Sequence, residues 1–231
     1  IISLEWFSND YRNENRGIAL CVIGIIYRRI KQKSYAEILK ILSGYPVKTV
    51  ELGLQSMDDE VLKRSARGHT AKAAREACRA VVDAGFSLVG QMMIGLPAST
   101  PQKELATAKE ICNLGASAAR IYPTVVFYDT ELCAMAERGE YVPLSNEDAV
   151  IRTKEVLSVF ADADVPCIRV GLQASENLSD AEKVYGGANH SAIGELAMGE
   201  LYYDRICREI ERLDLSGNTL TVYVAKGCVS K

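Results

Sequence analysis

Residues 47–70, VKTVELGLQSMDDEVLKRSARGHT, hold one strand–turn–helix unit and set the reading of the whole chain. Val47–Leu54 is a strand of β-branched and aliphatic residues. Ser56 then opens a helix, Asp59 completes a capping box three residues later, and Gly68 closes the helix. Thr70 caps the next helix, whose apolar stripe runs through Ala74, Cys78, Val81 and Val82 before Gly85 ends it.

The same alternation continues outward from this unit. Phe86–Ile94 is a second strand, apolar except for Ser87 and Gln91. Thr100–Pro101 starts a helix with proline at its first position, and Leu105, Ala108, Ile111 and Cys112 form its buried face up to Gly115. Ala118–Val126 is a third strand, and Pro123 inside it removes a ladder donor, so pairing bulges or ends there. Thr130–Arg138 is a short helix closed by Gly139. Ser145 and Asp148 form a second capping box ahead of a helix to about Ala163, and Val165–Leu172 is the fourth strand. Strands recurring about every thirty residues with helices between them predict βαβ units and a parallel sheet. Periodicity alone fits a barrel and a doubly wound sheet equally.

The flanks read differently. Ser191–Leu213 is a long helix, followed by a strand at Thr219–Val224. Residues 1–41 give no consistent period: Gly17–Tyr27 is apolar, and Arg28–Lys33 is basic.

A chain of 231 residues suits one large α/β domain or two small ones, and 25 % charged with 48 % hydrophobic residues is an ordered, globular balance. The net charge of −3 offers nucleic acid no bulk attraction, so such a substrate needs a local basic patch. No apolar run reaches membrane-spanning length, and the first eleven residues, broken by Glu5 and Asp10, are no signal peptide. A cytoplasmic protein without a membrane partner is expected. The seven cysteines are scattered, with no CxxC or CxxxCxxC spacing, so no metal ligands are assigned. Cys78, Cys112 and Cys207 sit among apolar helix neighbours and read as small buried hydrophobes.

Parallel α/β sheets gather ligands at the carboxyl ends of their strands. Four stretches qualify there: Glu51–Ser56, Arg67–Thr70, Gln91–Thr100 and Arg120–Val126. Gln55 and Ser56 are a turn and cap or a ligand site, and His69 is a helix-end cap or a base. Gln91 needs a partner, since an unpaired buried amide costs ~1–3 kcal/mol; a ligand or a neighbouring strand would serve. The ladder broken at Pro123 leaves backbone groups for a planar base.

Three strings in this order, VELGLQSMDDEVLKRSARGHT (50–70), QMMIGLPASTPQ (91–102) and ARIYPTVVFYDTELCAMAERGEY (119–141), resemble the elongator/coproporphyrinogen-dehydrogenase group of radical S-adenosylmethionine (SAM) enzymes. GANHSAIGEL (187–196) resembles that group's His-Pro-x-x-Gly-Glu-Leu element, with Ser191 in place of proline. The resemblance implies a partial (β/α)6 TIM-like barrel, incomplete at its N-terminal end, with a C-terminal helix and strand extension. It also implies SAM and a [4Fe–4S] cluster as cofactors, reductive cleavage of SAM to a 5′-deoxyadenosyl radical, and a reductant such as flavodoxin or ferredoxin. The substrate it suggests is tRNA. On this likeness Gln55 and Arg67 contact SAM around its ribose and carboxylate, and Gln91 lies near the ribose or methionine. The backbone from Ile121 through Tyr122, Pro123 and Thr124 to Val125 cradles the adenine.

The departures shape a second reading. Cluster cysteines are missing, and residues 1–16 match no stretch of that group. Gly17–Leu20 begins like the group's earlier strand and then diverges until Ala36, as a frame-shifted stretch between 21 and 35 would. The expected organisation is therefore an N-terminal segment to residue 41, a barrel portion over 42–185, and a C-terminal helix with the start of a cut-short extension over 186–231. Such an incomplete chain is expected to be inactive alone, and the alternative is a non-catalytic nucleotide- or RNA-binding barrel remnant. A cluster-free enzyme using Glu51, His69 or His190 as base is a third reading, unsupported by any carboxylate–histidine spacing.

Overall fold

The computed structural model describes residues 18–21, 35–171, 182–213 and 221. Val47–Gln55 (β2) is flanked by two parallel ladders, to Ile18–Cys21 (β1) on one side and Ser87–Ile94 (β3) on the other. Ala116–Pro123 (β4) pairs parallel with β3. The chain then leaves the sheet as Val125–Phe127 (β5) and returns at Cys167–Val170 (β6), parallel to β4. The sheet order is thus β1-β2-β3-β4-β6. The four strands read from the sequence are consecutive neighbours and all parallel.

Seven helices fill the described connections: Tyr35–Leu42 (α1), Asp59–Arg64 (α2), Ala71–Asp83 (α3), Pro101–Asn113 (α4), Glu131–Glu137 (α5), Asn146–Asp162 (α6) and Ile193–Arg212 (α7). Their ends follow from local chemistry. Thr70, Thr100, Thr130 and Ser145 each accept a backbone N–H of the first turn, and Gly85, Gly115 and Gly139 take positive φ just beyond helix ends. Because side chains alternate across a strand, Val50, Leu52 and Leu54 of β2, Leu88, Met92 and Ile94 of β3, and Ala119 and Ile121 of β4 point to one face. They form a single core with α3, α4, α6 and α7, centred on Cys78, Ile111, Phe160 and Leu201.

Several details differ from the sequence reading. The cap of α2 is Asp58, whose carboxylate accepts from Val61 N at 3.0 Å, while Ser56 Oγ accepts from Asp58 N at 3.2 Å inside a tight turn. Asp59 reaches forward instead, accepting from Ala71 N at 2.7 Å and holding the start of α3. The third strand ends at Pro123, and β5 pairs antiparallel with Val184–Gly187 (β7), a strand too short and too evenly half-buried to show alternation. The strand expected at Thr219–Val224 lies outside the described residues, except for residue 221. No helix among the described residues is long and apolar enough to cross a membrane.

Gly90 marks the closest approach of helix to sheet: a Cβ there would stand 2.5 Å from Ile111 Cγ2, in a fully buried β-branched side chain that cannot swing aside. Gly90→Ala is expected to lower stability by about 1–3 kcal/mol in urea titration, as overpacking does. Ile111→Ala should cost about 2–5 kcal/mol alone. The two changes together should cost less than their sum, and strict additivity would show that the two residues do not meet.

Candidate cofactor-binding site

The face of the sheet opposite the helices carries a different chemistry. Register aligns Glu51 with Val89, and Gly53 with Gln91 and, one strand further, Arg120 and Arg169. Arg120 Nε lies 3.3 Å from Glu51 Oε2, an ion pair reaching from β4 to β2 over β3, and Arg120 donates to the Tyr122 hydroxyl at 3.4 Å. Gly53 places no side chain on this row, so β2 is bare between Glu51 and Gln55. Glu51, weighed as a base from sequence, is therefore the partner of an arginine.

Gln55 ends β2 in an unusual conformation. Its φ is +64°, and Ser56 N donates to Leu54 O at 2.7 Å, closing a γ-turn of the rare positive-φ kind. Such a backbone costs about 1–3 kcal/mol for a residue with a side chain and persists only where neighbours enforce it. The side chain is 9 % exposed, and its Oε1 has no hydrogen-bond partner among the described residues. An unsatisfied buried acceptor costs another 1–3 kcal/mol or so. It can be satisfied only by a donor, such as a hydroxyl or an ammonium group.

Arg67 sits in the loop between α2 and α3 and turns back over the carboxyl ends of the strands. Its Nη2 rests 3.0 Å from Met93 Sδ on β3, two residues beyond Gln91. Burial among the surrounding atoms pushes the guanidinium pKa down, yet the residue remains open to water. A thioether is a weak acceptor, so most of the five donors of Arg67 remain available there. Gln55 and Arg67 thus sit at the carboxyl ends of β2 and β3, while Gln91 lies further back within β3, level with Gly53 and half-buried.

The Ile121–Val125 stretch divides. The Ile121 side chain points into the helix-facing core and is fully buried, because it alternates with Arg120 and Tyr122. Tyr122 faces the open side. Pro123 closes β4, and the backbone beyond it is not left free: Thr124 N and Oγ1 both donate to Ile94 O, at 2.9 and 2.7 Å, and Thr124 O accepts from Ala188 N at 3.0 Å. Val125 is paired with Gly187. The chain's own 187–188 segment takes the groups that the broken ladder released. Gly187 is required there, since a Cβ would stand 2.6 Å from Thr124 O.

Neither histidine stands free as a base. His69 Nε2 lies 3.2 Å from Leu54 O, and His190 Nδ1 accepts from Ala192 N at 3.2 Å at the start of α7. The cysteines do not converge: among the described residues no three His, Cys, Asp or Glu side chains form a metal-binding group. Burial pushes the Cys78 and Cys167 thiols up to about 12, which keeps both protonated at neutral pH. Sequence reasoning missed Met93 as the rest for Arg67 and the Glu51–Arg120 pair. The pair had a signal in the parity that puts both on the Gln91 face; Met93 had none beyond its place in the strand.

Comparison with known proteins gives this architecture its context. Residues 2–111 match the model of the radical SAM superfamily, and residues 116–203 match the radical SAM C-terminal domain. The first match takes in residues 2–16, a stretch that the resembling strings left out. The tRNA uridine(34) acetyltransferase of Methanocaldococcus infernus is 31 % identical over 188 residues, covering 79 % of this chain and 33 % of that protein. Elongator complex protein 3 of Homo sapiens is 28 % identical over 160 residues, covering 68 % of this chain and 28 % of that protein. The chain spans about a third of the length of the curated Methanocaldococcus relatives. Among solved structures, the archaeal Elp3 of Methanocaldococcus infernus, with an N-terminal deletion, superposes with a TM-score of 0.62 at 27 % identity, over 74 % of this chain and 39 % of that one. With one family model matched over residues 2–111 and its companion C-terminal model over residues 116–203, on an α/β parallel sheet, the chain belongs to the radical SAM superfamily.

Proposed function

We propose that this chain binds SAM across the carboxyl ends of β2 and β3, as the SAM-binding barrel portion of a tRNA-modifying radical SAM enzyme. The observation that carries the reading is the buried, unpaired Oε1 of Gln55, held in a strained turn at the sheet end where Arg67 rests on Met93. The chemistry is complementary. Gln55 Oε1 takes a ribose hydroxyl or the ammonium group, which a carboxylate cannot replace. Arg67 presents the planar pair of donors that a carboxylate accepts. Gln91, with bare Gly53 beside it, supplies an amide to the sugar. tRNA enters this reading through the relatives, two of them tRNA uridine(34) acetyltransferases from Methanocaldococcus species.

A [4Fe–4S] cluster, which in this family supplies the electron that cleaves SAM, does not fit the described residues. Those cysteines lie on separate elements without convergence, so reductive cleavage and its flavodoxin- or ferredoxin-type reductant are not assigned to them. That same scatter favours a second reading, a barrel that binds the nucleoside without cleaving it.

Calorimetric titration of the chain with SAM tests the site. Arg67→Ala and Gln55→Ala should each weaken binding about 10- to 100-fold, the loss of one charge-assisted or buried hydrogen bond. Unchanged affinity in both variants would put the ligand elsewhere. Anaerobic reconstitution with iron and sulfide separates the two readings: no cluster absorbance alongside retained SAM binding is expected. Stoichiometric cluster loading would overturn the assignment of these cysteines. In parallel, iodoacetamide at pH 8 should leave Cys78 and Cys167 unmodified in the folded chain, since both thiols stay protonated there.

A further inference from the structure

The Arg67-Gly68-His69-Thr70 loop carries a histidine whose ring reaches back to the end of β2. His69 Nε2 lies 3.2 Å from the carbonyl oxygen of Leu54, the same oxygen that accepts Ser56 N at 2.7 Å to close the turn at Gln55. A carbonyl only accepts, so Nε2 carries the proton and donates. Two donors therefore meet on one carbonyl: one shapes the turn, and the other ties it to the loop that bears Arg67. A third anchor comes from behind, where Met57 N donates to the buried Thr107 Oγ1 of α4 at 3.0 Å. Gln55 and Arg67 reach the same sheet end from different elements, and the His69–Leu54 hydrogen bond is the described polar contact linking them.

From this geometry we infer that His69 is a positioning residue. By donating Nε2–H to Leu54 O it holds the positive-φ turn of Gln55 and fixes the Arg67 loop against it, setting the spacing at which the two side chains meet one ligand. The inference rests on the SAM-site reading for its ligand, but the hydrogen bond can be tested without one. Its requirement is a donor at the Nε2 position. Glutamine can supply that donor from its side-chain amide, whereas phenylalanine keeps the ring's bulk and supplies none.

The test uses 1H–15N NMR of the full chain together with SAM titration. In the wild type, the imidazole nitrogens of His69 should report a protonated Nε2; a proton on Nδ1 alone would overturn the inference without any variant. His69→Phe should shift the backbone amides of Gln55 and Ser56 and the side-chain amide of Gln55, and His69→Gln should bring them back towards wild type. Amides that stay in place in His69→Phe, or a glutamine variant displaced as far as the phenylalanine one, would also overturn it. In titration, His69→Phe should weaken SAM about tenfold, while adding it to Gln55→Ala should weaken binding little further. If the amides respond but the wild type binds no SAM, the ligand reading falls and the positioning role stands. If Arg67→Ala weakens SAM binding but His69→Phe leaves both affinity and amides unchanged, the positioning role falls and the ligand reading stands.

Discussion

A carboxylate withdrawn from water must find its hydrogen bonds inside the protein, and Glu104, 2 % exposed in the first turn of α4, finds four. Its oxygens accept from Gly95 N at 2.7 Å, Ser99 Oγ at 2.8 Å, and Arg152 Nε and Nη2 at 2.8 and 2.6 Å. The arginine contact is the two-pronged kind, the strongest geometry for this pair. Breaking a buried pair of this sort by removing one partner costs on the order of 3–5 kcal/mol. Through this one group the exit of β3, the start of α4 and the middle of α6 are fixed as a single corner. Tyr141 adds to it, donating to Gly95 O at 2.7 Å from a hydroxyl whose pKa burial pushes up to about 12. Even the exit of β4 is referenced to this corner, since Thr124 hangs on the carbonyl of Ile94, the residue before Gly95.

Two neighbouring strand ends therefore treat their polar groups in opposite ways. Beyond β3, the buried carboxylate of Glu104, the backbone of Gly95 and the hydroxyl of Ser99 are all paired within the chain. At β2, the chain stops short: a buried amide oxygen lacks a donor, a non-glycine residue occupies a strained turn, and a guanidinium rests on sulfur. Native interiors rarely leave such groups unmet, and the exceptions gather at functional sites. The saturated corner is what keeps the unsaturated one in shape. Without a fixed β3, Met93 would not hold its place beside Arg67.

How much of this was legible in the sequence varies with the physical cause. Most elements defined by local chemistry were readable: the Thr70, Thr100 and Ser145 caps, the glycine stops at Gly85, Gly115 and Gly139 and the proline that ends β4 all act within a few residues. The Ser56 cap and the Gly68 stop did not hold, the helix running only over Asp59–Arg64 behind an Asp58 cap. Elements defined by distant partners were not. A strand within a parallel sheet reads as a continuous apolar run, so Ile18–Cys21 showed no alternation to distinguish it from its surroundings. The pairing of β5 with β7 depends on Gly187 meeting Thr124, some sixty residues apart, for which no local signal exists. Glu104 stands where any first-turn acid would, favoured by the helix dipole, and only Arg152 and Gly95, distant in sequence or outside the helix, reveal it as buried. The likeness to a family supplied the candidate residues Gln55, Arg67 and Gln91. It could not tell that the Ile121 side chain turns into the core, or that residues 187–188 already occupy the backbone of Thr124.

The identity between strand order and chain order, β1-β2-β3-β4-β6, bears on how this molecule assembles. Every ladder in the sheet joins a strand to the one most recently added, apart from the detour through β5. Loop closure is then never longer than one crossover, and its entropy grows only slowly with that length. A chain emerging from the ribosome can dock each unit onto the preceding one without waiting for its far end. The cost falls on the growing edge, which exposes an unpaired apolar strand at every stage until the next arrives. Chaperone dependence during synthesis, rather than instability of the finished sheet, is where such an architecture is most vulnerable.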